Sequence, residues 1–229
     1  MIKFHPSEQQ LVLYAAGELS PAMLMMVGTH VDMCKQCQAQ VQDIEEQMAR
    51  KLFGENNFAD YQANSLDSKT HDAMLAAIFA STAPVAEPSP PQPHDNLLYL
   101  EGKRFTLPAT LARNSHRIGD WSRLPGKLWR ASVDIGAEQS LNFIYMGEQS
   151  TVPEHTHKGN EATLVINGVF SDEQGDYKDG DFVLLDGAHK HSPHTTHEDC
   201  LTLAALDAPL HFTTGLSRLL NPFSSLFFK

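Results

Sequence analysis

Cysteine is scarce, with three residues in a chain of 229. That is too few for a disulfide frame. Two of the three, Cys34 and Cys37, stand in a C-x2-C spacing that suits metal binding in a reducing compartment. Basic residues are also in deficit: 17 Lys and Arg against 28 Asp and Glu give a net charge of −11. Such a chain lacks the basic face that a nucleic-acid backbone demands. It suits a partner that is itself basic, such as a DNA-binding protein, although acidity also serves solubility alone. No apolar run approaches the roughly 20 residues that a membrane helix requires. The opening "MIKFHPSEQQ" has neither an apolar signal core nor a cleavage site. These absences predict a cytoplasmic protein that contacts neither membrane nor nucleic acid directly. What is present is a hydrophobic content of 41%, enough for more than one core.

The run "STAPVAEPSPPQPHDN", Ser81 to Asn96, carries five prolines and almost no large apolar residue. It can neither propagate a helix nor join a central strand, so it reads as a semi-rigid spacer. The expected organisation is a helical domain over residues 1–82, a linker over 83–96, a β-domain over 97–215, and an apolar tail over 216–229 with no assigned role. The fold class is α+β.

In the first half, Ser7 can cap a helix carrying Leu11, Leu13, Tyr14 and Ala15, with Gly17 as its stop. Ser20-Pro21 is an N-cap followed by proline at the first helical position, and that helix runs to about Asp32. A third helix, from about Cys34 to Phe53, spaces Val41, Ile44, Met48 and Leu52 helically. A small three-helix bundle is marginal alone, and a metal often supplies the missing stability. A fourth segment, about Asp67 to Ser81, puts Met74, Leu75, Ile78 and Phe79 on one side. Periodicity favours packing as core over docking into a partner's groove.

The second half turns to short β-prone runs such as "LWRASVD", "QSLNFIYM", "ATLVINGVF" and "CLTLAAL", punctuated by turn residues. Many strands without helices between them predict an antiparallel sandwich or barrel. Such a domain leaves sheet edges through which self-association is possible.

Two groups of metal-ligating residues follow. His30, Cys34 and Cys37 form H-x3-C-x2-C at the junction of the second and third helices. Structural zinc takes four protein ligands. His5 leads the candidates for the fourth, followed by His71 and then Glu45 or Glu46. The alternatives are two free cysteines beside a surface histidine, or a redox C-x2-C; the latter normally opens a helix in a βαβ setting that is absent here. In the β-half, alternation puts His155 and His157 on one side of a strand, and Glu161 opens the return strand. The later run "GDFVLLDGAHKHSPHTTH" offers His189, His191, His194 and His197, with His191 best placed; His194 and His197 read as surface loop. Three histidines and a carboxylate suit several divalent metals. Cys200 reads as core.

The pairing of "HPSEQQLVLYAAGELS" and "VGTHVDMCKQC" with "HTHKGNE" and "GDFVLLDGAHKHSP" resembles the ChrR-type anti-sigma factors over nearly the whole chain. The resemblance implies a zinc-binding anti-sigma domain with His5, His30, Cys34 and Cys37 as ligands. It also implies a C-terminal cupin barrel in which His155, His157, Glu161 and His191 hold a second divalent metal, taken as zinc. One departure, "DGAHKHSP" where the family usually has Pro and Gly before its histidine, keeps His189 in play. The implied protein is not an enzyme. It inhibits an extracytoplasmic-function sigma factor by protein–protein binding and releases it on oxidative stress of the singlet-oxygen type, sensed through the cupin. The alternative is a metal-dependent cupin enzyme, dioxygenase-like, with an accessory zinc domain.

Overall fold

The computed structural model describes residues 1–54, 68–80, 96–136, 139–157, 159–208 and 210–213. The expected linker over 83–96, up to its last residue, and the apolar tail over 216–229 lie outside the described residues. The chain divides into two compact units, Met1–Val41 with Asp95–Lys229, and Gln42–His94.

Helix α1 (Glu8–Ala16) begins with a reciprocal cap: the Gln10 amide donates to Ser7 Oγ at 3.3 Å, and the Ser7 amide donates to Gln10 Oε1 at 2.8 Å. It ends at Gly17, whose φ of 72° lies in the left-handed region that glycine enters at little cost. There the Glu18 amide closes back on the Leu13 carbonyl at 2.8 Å. Helix α2 (Pro21–Met33) starts at Ser20, with proline at its first position. Its buried residues include Met26, Val27, Thr29 and His30. Helix α3 (Lys35–Phe53) buries Cys37 and Val41 near its start.

Helix α2 packs against α1 and against the strands β7 (Glu161–Asp172) and β10 (Cys200–Leu206). It also packs against a short helix, α5 (Ala109–Arg113), which interrupts the expected run of strands. Pro108 has no side chain with which to cap α5, and Asp32 of α2 takes that role by accepting from the Thr110 amide at 2.6 Å. The N-terminal strap is fixed from the β side. The buried carboxylate of Asp181 accepts from the amides of Lys3 at 2.7 Å, Phe4 at 3.1 Å and Lys178 at 2.8 Å. The Phe182 amide donates to the Phe4 carbonyl at 3.0 Å.

The main sheet runs β3 (Ser122–Leu124), β4 (Leu128–Val133), β5 (Ser140–Met146), β10, β7 and β8 (Gly175–Lys178), with β9 (Phe182–Leu185) also paired to β7. All these pairings are antiparallel. A hairpin of β1 (Leu97–Leu100) and β2 (Lys103–Thr106) precedes them, turning through Glu101 and Gly102, both at positive φ. A second two-stranded piece pairs β6 (His155–His157) with β11 (Leu210–Phe212). The strand faces alternate: Phe143, Tyr145, Leu201 and Leu203 are buried on one face, while Met146, Val165, Phe170 and Cys200 belong to a core cluster with Leu128 and Tyr177. Cys200 is fully buried, as expected of core.

In the other unit, helix α4 (Ser68–Ala80) corrects one expectation. Its apolar residues Met74, Leu75, Ile78 and Phe79 are exposed, Phe79 to 84%, and so do not pack as core. Periodicity reports that a helix has an apolar side, not what covers it.

No single helix among the described residues is long and apolar enough to cross a membrane.

Candidate metal centres

The first centre forms where the strap, the end of α2 and the start of α3 meet. The ligand atoms of His5, His30, Cys34 and Cys37 all lie within 4.8 Å of one another. His5 Nδ1 is 3.4 Å from both Cys34 Sγ and Cys37 Sγ, and His30 Nε2 is 3.3 Å from Cys37 Sγ. Zinc–sulfur bonds of about 2.3 Å and zinc–nitrogen bonds of about 2.0 Å make the N···S edge of a tetrahedron about 3.5 Å. The four residues therefore fit one tetrahedral ion. His71's side chain lies outside the described residues. Glu45 and Glu46 are exposed on α3, with Glu46 engaging Arg50 at 3.2 Å.

His30 owes its aim to the β-strands. Its Nδ1 lies 2.8 Å from the Gly180 carbonyl in the turn between β8 and β9. Donation there leaves Nε2 with its lone pair towards the cysteines. Burial is the main cause that lowers its pKa to about 4, keeping the ring neutral as a ligand must be. Burial, reinforced by Cys34, pushes the Cys37 thiol up to about 12. A thiolate at that position calls for a cation beside it.

The second centre lies in the β-domain. His155, Glu161 and His191 place their ligand atoms within 4.8 Å of one another, with both histidines buried. His155 and His191 are mutual bridge partners, each amide donating to the other's carbonyl at 3.2 Å, and their ring centroids are 4.5 Å apart. Glu161 opens β7, and its Oε2 is 3.5 Å from His191 Nε2. Only the backbone of His157, the last residue of β6, is described; its side chain lies outside the described residues. His189 is set apart: its ring is 46% exposed and bonds Asp186 at 2.7 Å. His194 engages the Ser192 carbonyl and His197 is exposed.

Sequence reasoning missed the groups that orient these ligands. Asp172, almost fully buried at the end of β7, holds His191 Nδ1 at 3.4 Å, and the Pro153 carbonyl holds His155 Nδ1 at 2.8 Å. Both contacts turn Nε2 towards the centre. Burial alone would lower the His191 pKa, but Glu161 and Asp172 together outweigh it and raise it. Nothing at positions 153, 172 or 180 marks these roles in the sequence, because two are backbone carbonyls and the third is one acidic residue among many.

Beside this centre is a cavity of about 240 Å³. Leu124, Leu128, Ile144, Met146, Val152 and Phe170 supply most of its apolar wall, and His155, Glu161 and His191 stand at its polar edge.

A His2Cys2 group on the N-terminal strap and helices, followed by a β-domain with a His/Glu/His group against an apolar cavity, defines a chain with two groups able to hold a metal and a cupin-like C-terminal half. The family model for the ChrR cupin-like domain matches residues 117–209. The anti-sigma-E factor ChrR of Cereibacter sphaeroides is 31% identical over 225 residues, covering 97% of this chain and 98% of the relative. The crystal structure of Rhodobacter sphaeroides SigE in complex with the anti-sigma ChrR superposes with a TM-score of 0.61 at 26% identity, covering 90% of this chain and 100% of that one. The chain belongs to the ChrR anti-sigma factor family.

Proposed function

We propose that this protein binds an extracytoplasmic-function sigma factor in the cytoplasm, blocks its access to RNA polymerase core, and releases it under oxidative stress of the singlet-oxygen type. The observation that carries this reading is likeness along the whole length to a relative named as an anti-sigma factor. Residues 1–82 are the inhibitory part, residues 97–215 the sensory part and 83–96 the linker. The exposed side chains Leu52, Phe53, Met74, Leu75, Ile78 and Phe79 supply an apolar surface for a partner in the unit Gln42–His94. The net charge of −11 complements a basic, DNA-binding partner.

His5, His30, Cys34 and Cys37 hold zinc, the metal that two thiolates and two imidazoles in a tetrahedron select. With four protein ligands no position stays open, so the ion is structural. His155, His157, Glu161 and His191 hold the second divalent metal, also zinc. Bound there, it supplies a fixed positive charge that draws these four residues together. Glu161 and Asp172 hold His191 in orientation, so any change at the centre is felt along β7, which also contacts helix α2. An oxidative change at the β-domain then shifts the population from the clamped to the released state.

The test is co-expression with a candidate sigma factor, pull-down and metal counting. A 1:1 complex holding zinc, lost when both cysteines of C-x2-C become serine, supports the proposal. Absence of capture in zinc-replete buffer overturns it.

A further inference from the structure

Strand β8 and the turn after it carry contacts to both groups of metal-ligating residues, and the two sets of contacts meet at Tyr177. That residue is 2% exposed. Its ring stacks on Phe170, the residue opposite it on β7, with centroids 4.8 Å apart. Phe170 lines the cavity that His155, Glu161 and His191 also line. The Tyr177 ring meets Phe4 of the N-terminal strap as well, at 5.2 Å between centroids. Phe4 immediately precedes His5.

The Tyr177 hydroxyl is tied to the second centre through Asp172. Burial first, then the charge of Asp172 and a hydrogen bond to it, push the tyrosine pKa up to about 12. The Asp172 carboxylate, its side chain 1% exposed, also holds His191 Nδ1 at 3.4 Å. One buried carboxylate thus serves a ligand histidine and a phenol at once. Just beyond β8, Asp181 accepts from the amides of Lys3 and Phe4, and the Gly180 carbonyl lies 2.8 Å from His30 Nδ1. The stretch from Tyr177 to Asp181 therefore positions both histidines of the first centre.

We propose that Tyr177 couples the two centres, so that filling the second tightens metal binding at the first. With His191 ligating a cation through Nε2, its Nδ1–H becomes a stronger donor and fixes Asp172. Asp172 in turn fixes the Tyr177 hydroxyl, and the ring then holds Phe4 and the strap that carries His5. Coupling of this kind is reciprocal: zinc at the first centre tightens the second by the same factor. Tyr177 is a positioning residue here and touches neither metal. The inference rests on reading both groups as metal centres.

The test loads the full-length chain with cobalt(II) as the probe. Thiolate-to-cobalt charge-transfer absorption reports the first centre alone, because the second has no cysteine among its ligands. Glu161→Gln keeps the size of the side chain, removes a ligand and empties the second centre, leaving one cobalt per chain against two in the wild type. Chelator competition then finds cobalt affinity at the first centre about fivefold or more lower in Glu161→Gln than in the wild type. In a Tyr177→Phe background, which keeps the ring and removes the hydroxyl, the same substitution changes that affinity by less than about twofold. A purely structural tyrosine would lower both affinities together and leave their ratio intact. Should Tyr177→Phe fail to fold, Phe4→Ala, at a residue 40% exposed, breaks the strap's contact with the ring and must collapse the ratio in the same way. A ratio of one in the wild-type background, or a ratio kept in folded Tyr177→Phe or in Phe4→Ala, overturns the coupling. Fewer than two cobalt ions in the wild type, or two in Glu161→Gln, instead overturns the reading of the centres on which it rests.

Discussion

At the scale of single residues, the chain's ligands are only half of each metal centre. His30 needs the Gly180 carbonyl and His191 needs Asp172 before their Nε2 atoms face the right way. Asp172→Asn is expected to weaken metal affinity at the β-domain centre by roughly tenfold to a hundredfold. Chelator competition followed by metal analysis reads both sites; equal affinities would count against the role of Asp172. His189→Ala is the control and is expected to change neither. Asp199 carries a pH signature. Burial would raise its pKa, but Lys103 at 2.7 Å and the Tyr145 hydroxyl at 2.7 Å outweigh it and lower it. A depressed carboxylate stabilises the fold above its ordinary pKa and ceases to as pH falls through the folded value. Asp199→Asn should therefore cost about 1–2 kcal/mol near neutrality, and denaturant melts should show the difference closing below about pH 4. The His2Cys2 set was legible in the sequence because three of its members fall within eight residues at helical spacing. The orienting groups were not, since a backbone carbonyl has no sequence signature.

At the scale of elements, the helices of the first half were readable from their ends. Ser7, Gly17 and Ser20-Pro21 punctuate α1 and α2 where local geometry needs them, and the structure adds the Gln10 half of the capping box. The strands with strong β-branched or aromatic content were readable too. Helix α5 was not, because its cap comes from Asp32 on a distant helix. Side-chain exposure on α4 was misjudged because an apolar stripe looks the same whether it faces its own core or another protein. Two substitutions probe elements as such. Gly168 sits in β7 at φ 92°, and an added Cβ would lie 2.0 Å from the Asp199 carbonyl oxygen, beside the register shift between Leu201 and Thr202. Gly168→Ala should cost more than about 3 kcal/mol in denaturant unfolding. Asp181→Ala removes the acceptor for three amides and frees the strap that carries His5. It should cost about 3 kcal/mol and also weaken zinc binding at the first centre. A stability loss with zinc affinity intact would show that the strap holds His5 without Asp181.

At the scale of the whole molecule, one candidate metal centre is built by the N-terminal strap and helices with a β-turn behind His30, and the other lies within the β-domain. The family relationship covers both, and an acidic chain with exposed apolar residues on α4 has the character of a protein that acts by binding. The family relationship was legible because two unrelated ligand patterns occur in order on either side of a proline-rich run. The cavity was not, since its lining comes from residues scattered between Leu124 and Phe212 that only the fold assembles. Phe79→Asp is expected to weaken sigma-factor capture at least tenfold, read by surface plasmon resonance, without changing metal content. The most direct measurement is capture itself. The chain, co-expressed with an extracytoplasmic-function sigma factor and purified without chelator, is passed over a sizing column with light scattering and metal analysis. The account predicts a 1:1 complex carrying zinc at His5, His30, Cys34 and Cys37. Separate elution of the two proteins, with zinc present in this chain, would contradict it.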